Sequence, residues 1–182
     1  MVLLLLLILA LLAVIVIFAF PAVSPIPYYP SRHRDLGLIA QAMDLHDGQT
    51  VVDLGAGDGT VVFFAASQAQ RQRLRIKFVA IEINPILVMA LLIRRLFHPA
   101  KKNIQVVWAD FFRWQPNPAN ERVFYLYGAP WLNDKIANRL RQFPGKNRLV
   151  SYYYPVAGLT AQQRIQGINR IFVYQLGRRR QQ

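Results

Sequence analysis

Three carboxylates sit where short apolar runs stop: Asp53 in "TVVDLG" (50–55), Glu82 in "KFVAIEIN" (77–84) and Asp110 in "IQVVWAD" (104–110). Runs of β-branched residues bounded in this way read as buried strands. Acids at their ends can accept hydrogen bonds from hydroxyls and amines gathered at one edge of a sheet. After the first run comes "GAGDGT" (55–60), with Gly55, Gly57 and Gly59 at alternate positions. Such a turn lets the backbone approach a ligand without Cβ clashes. A helix opening near Thr60 would aim unpaired N–H groups at whatever rests on the turn. Taken alone, the glycines also fit a tight strand–helix turn that holds nothing.

The spacing is G-x-G-x-G, not the G-x-G-x-x-G of dinucleotide sites. Glu82 is placed to accept from both hydroxyls of a ribose. Asp53 suits a cationic ligand with an amino group better than a pyrophosphate. Asp110 can accept from the exocyclic amine of adenine, although a helix cap or loop carboxylate is its plainer role. Together the three acids and the turn describe a pocket for S-adenosylmethionine: amino acid moiety at one end, ribose in the middle, adenine at the other. His33, His46 and His98 are scattered and cysteine is absent, so neither a metal nor a covalent nucleophile is expected.

The elements that would position these residues alternate. Helical spacing covers 36–45, 60–70, 85–98 and 131–143; strand patterns cover 50–55, 77–84, 104–110, 122–130, 147–155 and 169–176. This order predicts an α/β fold, Rossmann-like and doubly wound, with a mostly parallel sheet and ligands at the carboxyl ends of its central strands. The last connection, Val156 to Asn169, is short for a crossover helix, which leaves room for an antiparallel final strand.

The first 31 residues carry no charged side chain, and Val2 to Phe20 is one unbroken apolar run. Its length suits a hydrocarbon core of roughly 30 Å. No Lys or Arg precedes it, as a signal peptide would require. The expected organisation is a transmembrane anchor (1–22), a proline-rich linker or lid (23–34) and a cofactor-binding domain (35–182). Arg32, His33 and Arg34 follow the anchor, which predicts a single-pass membrane protein with its domain on the cytoplasmic side. The net charge is +13. Its clusters (71–77, Arg94 and Arg95, Lys101 and Lys102, 178–180) point to anionic membrane lipids as a partner, then to nucleic acid, then to a plain solvated surface.

"VVDLGAGDGT", "VAIEINP" and "WADFF" resemble the cofactor-binding elements of class I S-adenosylmethionine-dependent methyltransferases. With "PYYPS" (27–31), "GAP" (128–130), "YYYP" (152–155) and the apolar start, the chain resembles the small membrane-anchored protein-lysine methyltransferases. That family includes enzymes acting on the c-type subunit of ATP synthase and on the adenine nucleotide translocase, with many prokaryotic members. The resemblance covers roughly Leu45 to Leu176. It implies cofactor contacts from Tyr28, Pro30, Ser31, Asp53, Gly55, Gly57, Asp58, Gly59, Glu82, Asn84, Asp110 and Phe111. The chain departs from the family in having Thr60 where an arginine is usual. Its terminal antiparallel hairpin is expected to be cut to one strand.

The resemblance implies transfer of a methyl group to a lysine of a membrane or membrane-associated protein, with "PYYPS" as a lid. Tyr28, Tyr127, Pro130, Trp131 and Tyr154 are the candidates to line the acceptor's path, since an aromatic wall holds a cationic amine. Packed core is the plainer role for these aromatics. An RNA or small-molecule methyltransferase at the membrane, and a non-catalytic cofactor-binding scaffold, are the competing functions.

Overall fold

The computed structural model describes residues 1–19, 29–119 and 121–176. Tyr28 and the arginine cluster at 178–180 lie outside them. The expected strands and helices form in order, with one further strand, β6: α1 (Val2–Ala19), α2 (Leu36–Met43), β1 (Thr50–Leu54), α3 (Thr60–Arg71), β2 (Lys77–Glu82), α4 (Pro85–Phe97), β3 (Ile104–Trp108), β4 (Glu121–Leu126), α5 (Pro130–Leu140), β5 (Lys146–Tyr152), β6 (Gln163–Gln166) and β7 (Arg170–Leu176).

The strands make one seven-stranded sheet in the order β3-β2-β1-β4-β5-β7-β6. The first five are mutually parallel; β7 runs antiparallel to both β5 and β6. The order reverses between β1 and β4, and this switch point leaves a crevice at the strands' carboxyl ends. β1, β4 and β5 are buried along most of their length because both sheet faces are covered. On one face, Leu36, Ile39 and Met43 of α2 and Val62, Phe63 and Ala66 of α3 pack on Val51, Phe78, Val123 and Val173. On the other, Leu132, Ile136 and Leu140 of α5 pack on Val52, Ile81, Phe124 and Phe172. Each such side chain contributes about 1.5–3 kcal/mol when fully buried.

The hairpin expected to be cut to one strand is complete. Residues 163–166, "QRIQ", pair with β7 from Gln163↔Val173 to Gln166↔Arg170. This edge strand is solvated, with only Ile165 partly buried, so it shows no apolar alternation by which a strand is read. Asp35 ties it down. Its carboxylate accepts the Tyr152 hydroxyl at 2.6 Å and the Ile168 and Asn169 N–H groups at 2.8 and 2.9 Å. Burial pushes the Asp35 carboxyl up, but these three donors outweigh it and hold the group below its ordinary range.

Helix α1 is wholly apolar, and its side chains from Val2 to Leu12 are exposed. Among the described residues no helix is long and apolar enough to cross a membrane. The 18 residues of α1 rise about 27 Å, short of a core of roughly 30 Å. Helix α4 is also unusual: it buries only Val88 and Leu91, and most of its remaining surface is apolar.

Candidate active site

Strand β1 delivers Asp53 to the crevice, in register with Ala80 of β2 and Tyr125 of β4. The chain then turns through Gly55, Gly57 and Gly59, with φ of 78°, 58° and 80°. Glu82 at the end of β2 holds this turn. Its Oε2 accepts the Gly57 N–H at 2.8 Å, and its Oε1 accepts the N–H groups of Ile83 and Asn84, both at 2.9 Å. A carboxylate has about four acceptor positions, so Glu82 keeps one, on Oε2, for a ligand hydroxyl.

A cavity of about 290 Å³ opens beside the turn, near the lower end of the range for small-molecule sites. Pro30, Ser31, Asp53, Gly55, Gly57, Asp58, Glu82, Asp110 and Phe111 all lie on its wall, as do Tyr127 and Trp131. The structure thus brings together most of the residues singled out from the sequence. Four stand elsewhere, and Tyr28 is outside the described residues. Gly59 caps α3 and packs α3 against α4: a Cβ there would meet Leu91 and Phe63 at 2.5 Å. Asn84 is buried and caps α4, its Oδ1 accepting the Ile86 N–H at 3.0 Å. Pro130 is exposed at the first position of α5. Tyr154 packs edge-on against Tyr153 at 4.4 Å, off the cavity wall.

Asp53 is 3% exposed. Burial pushes its carboxyl up to about 8, and the Glu82 carboxylate adds to the shift. A group held neutral in this way ionises readily once a cation is brought to it. Asp58 has a different role: its carboxylate caps α3 through the Thr60 N–H (3.0 Å) and hydroxyl (2.7 Å) and receives Arg94 from α4 at 3.2 Å. The family's arginine is missing at position 60, yet a guanidinium reaches the same turn from another helix. Asp110 likewise turns partly inward, accepting the Phe112 N–H at 2.8 Å.

Tyr29, Tyr125 and Tyr127 line the other wall, with Tyr152 and Tyr153 packed beside Tyr127. Tyr127 stands edge-on to Tyr152 at 4.9 Å, with Tyr29 and Tyr153 each 6.4 Å away. Tyr153 takes φ 75°, a costly conformation for a bulky side chain, fixed by a 2.7 Å bond from its N–H to the Arg170 carbonyl. Burial raises the phenol pKa of Tyr127, so it is protonated at neutral pH. Sequence reasoning passed over Tyr29 and Tyr125, which also line the cavity. The alternation in "FYLY" (124–127) was the available signal, since it puts Tyr125 and Tyr127 on one face of β4.

A cavity bounded by a glycine turn, a buried carboxyl with no cationic partner among the described residues and a carboxylate at the next strand tip fits a ligand that is part nucleoside and part amino acid. Comparison with known proteins agrees. The chain is 26% identical over 172 residues to the ATP synthase c-subunit lysine N-methyltransferase of Caenorhabditis elegans, with 86% of each chain covered. Its fold matches an RNA methyltransferase from Salinibacter ruber solved with S-adenosyl-L-homocysteine. There the TM-score is 0.70 at 20% identity, over 82% of this chain and 94% of that one. It also matches an S-adenosylmethionine-dependent O-methyltransferase from Thermotoga maritima, with a TM-score of 0.61 at 12% identity, over 85% and 69% of the two chains. The family model of the ANTKMT methyltransferase domain matches residues 53–163, from the acid of β1 to the start of the terminal hairpin. The chain belongs to the ANTKMT methyltransferase family, and its cofactor is S-adenosylmethionine.

Proposed function

We propose that this methyltransferase modifies a lysine side chain of a membrane or membrane-associated protein, working from an anchor formed by its N-terminal apolar segment with the domain on the cytoplasmic side. The observation that carries this reading is the composition of the cavity wall. Tyr29, Pro30 and Ser31 belong to it, and they follow the end of α1 by only ten to twelve residues. At no more than about 3.6 Å per residue, Tyr29 lies within roughly 36 Å of Ala19. A pocket tethered this closely can act only on acceptors that come near the anchor. The apolar run extends past α1 to Phe20, within the usual range for a span, and the basic residues after it favour the cytoplasmic side.

Bound in the cavity, S-adenosylmethionine would supply a transferable methyl group carried on a sulfonium, with the thioether as leaving group. On this reading Asp53 pairs with its ammonium, the remaining acceptor position of Glu82 takes a ribose hydroxyl, and Asp110 and Phe111 border the adenine. Tyr29 and Tyr127 hold the incoming alkylammonium against aromatic faces, and the amine must be neutral and in line with the methyl carbon when it reacts. The proton it sheds goes to water at the exposed rim, where Trp131 stands 59% exposed. The lysine reading also draws support from the nematode relative, which is named for that reaction.

The test incubates the purified full chain with methyl-tritiated cofactor and a membrane extract. Label in a membrane protein, recovered as methyllysine after hydrolysis, is the expected outcome. Label confined to RNA or to small molecules would overturn the assignment.

A further inference from the structure

Among the described residues no element covers the outward surface of α4. Ile86, Met89, Leu92, Ile93, Leu96 and Phe97 are all exposed, Met89 by 58%, Leu96 by 61% and Phe97 by 84%. Helical spacing places the six on one continuous face. Trp108, 68% exposed, extends this face at the amino end of the helix: its indole N–H donates to the Ile83 carbonyl at 3.0 Å. Cations gather at the other end. Arg95 is in the last turn, and the exposed Lys101 and Lys102 follow in the next one. The amino end of the helix borders the cavity, since Ile83 and Leu87 line it.

A soluble helix shows water its charged side, whereas α4 shows water its apolar side. Three features identify what covers it. An apolar face edged by lysine and arginine, with an exposed tryptophan, is the pattern of helices that lie in a membrane interface. The net charge of +13 disfavours a second copy, whose cationic rim would be brought against this one, and favours a surface of opposite sign. The chain also carries α1, whose apolar side chains from Val2 to Leu12 are equally uncovered.

We propose that the α4 face, with Trp108 and the cationic turn at Lys101–Lys102, lies on an anionic bilayer surface and fixes the orientation in which the cavity meets it. This rests on the membrane-anchored reading given above but goes beyond it, because an anchor alone leaves the domain free to turn on its tether.

The chain lacks cysteine, so single nitroxide labels can be placed without background. Met89→Cys and Leu96→Cys report α4, Leu6→Cys reports α1, and Gln142→Cys, beyond α5 on the opposite sheet face, is the water-exposed control. The full-length labelled proteins are reconstituted in vesicles of phosphatidylcholine with one-quarter phosphatidylglycerol. Collisions with oxygen and with a water-soluble nickel chelate are then measured. The expected result is several-fold less nickel contact and more oxygen contact at positions 89 and 96 than at 142. Lys101→Glu with Lys102→Glu should weaken that protection at 89 and 96 while position 6 is unchanged. Nickel-accessible labels on α4 with a protected position 6 overturn the α4 proposal and leave the anchor standing. A position 6 open to nickel overturns the anchor reading and this one with it. Protection at 89 and 96 with strong dipolar broadening between labels, and no rise in oxygen contact, assigns the face to a second copy and also overturns the proposal.

Discussion

The hydroxyls of Ser31 and Tyr125 meet at 2.7 Å, buried, across 94 positions of sequence. This bond fastens the segment that follows the apolar helix to the middle of the sheet, over the cavity. Ser31→Ala or Tyr125→Phe should weaken S-adenosylmethionine binding roughly two- to tenfold, the range expected for one hydrogen bond. The double variant should be little worse than the poorer single, because both remove the same bond. Isothermal titration of the three proteins checks this.

Cofactor affinity should depend on the protonation of Asp53. With its carboxyl at about 8, pairing with the cofactor's ammonium releases a proton. Affinity should rise with pH, approaching tenfold per unit below about 8 and levelling above it. The cofactor-free protein should show the opposite trend. A carboxyl raised from 3.8 to about 8 on folding stabilises the native state fully below pH 3.8, and that contribution is lost as pH rises to 8. Asp53→Asn should flatten both profiles, read by binding titrations and by melting temperature from pH 5 to 9.

Two glycines of the same turn should respond differently to alanine. At Gly55 nothing lies within 4 Å of an added Cβ, so Gly55→Ala bears only the positive φ, about 1–2 kcal/mol. At Gly59 the same strain is joined by overlap with Leu91 and Phe63, adding about 1–3 kcal/mol. Thermal melts should rank Gly59→Ala below Gly55→Ala, whereas cofactor binding per folded molecule should suffer more at Gly55.

Tyr127→Ala should leave cofactor affinity within about twofold and lower kcat/KM for the acceptor by roughly 2- to 30-fold, the span of an aromatic–cation contact of about 0.5–2 kcal/mol. Tyr127→Phe should recover most of that loss, because the ring face and not the hydroxyl does the holding. Steady-state assays with peptide acceptor separate the two.

Strand tips and the glycine turn were legible in the sequence because their chemistry is local: positive φ calls for glycine, and a buried strand calls for a β-branched run. Asn84, a cofactor contact only by family resemblance, is found as the cap of α4, a role that the following Pro85 already marked. Strand β6 was illegible because "QRIQ" buries almost nothing; its pairing depends on Asp35, more than 125 residues earlier. The tyrosine wall was half visible, through Tyr127, since aromatic residues in strands look alike whether they face core or cavity. Arg94 could not be assigned to Asp58 from spacing, because a whole helix and a strand, α3 and β2, intervene.

The Arg94 guanidinium donates to the Asp58 carbonyl at 2.6 Å and lies 4.8 Å from the centre of the Phe63 ring. It thereby grips both the glycine turn and the helix that follows, from the outer side of α4. Whatever presses on that helix presses also on the turn. On the proposed bilayer surface, the tilt of the molecule and the shape of its pocket would therefore be mechanically geared, and catalysis would respond to that surface as well as to the acceptor within reach.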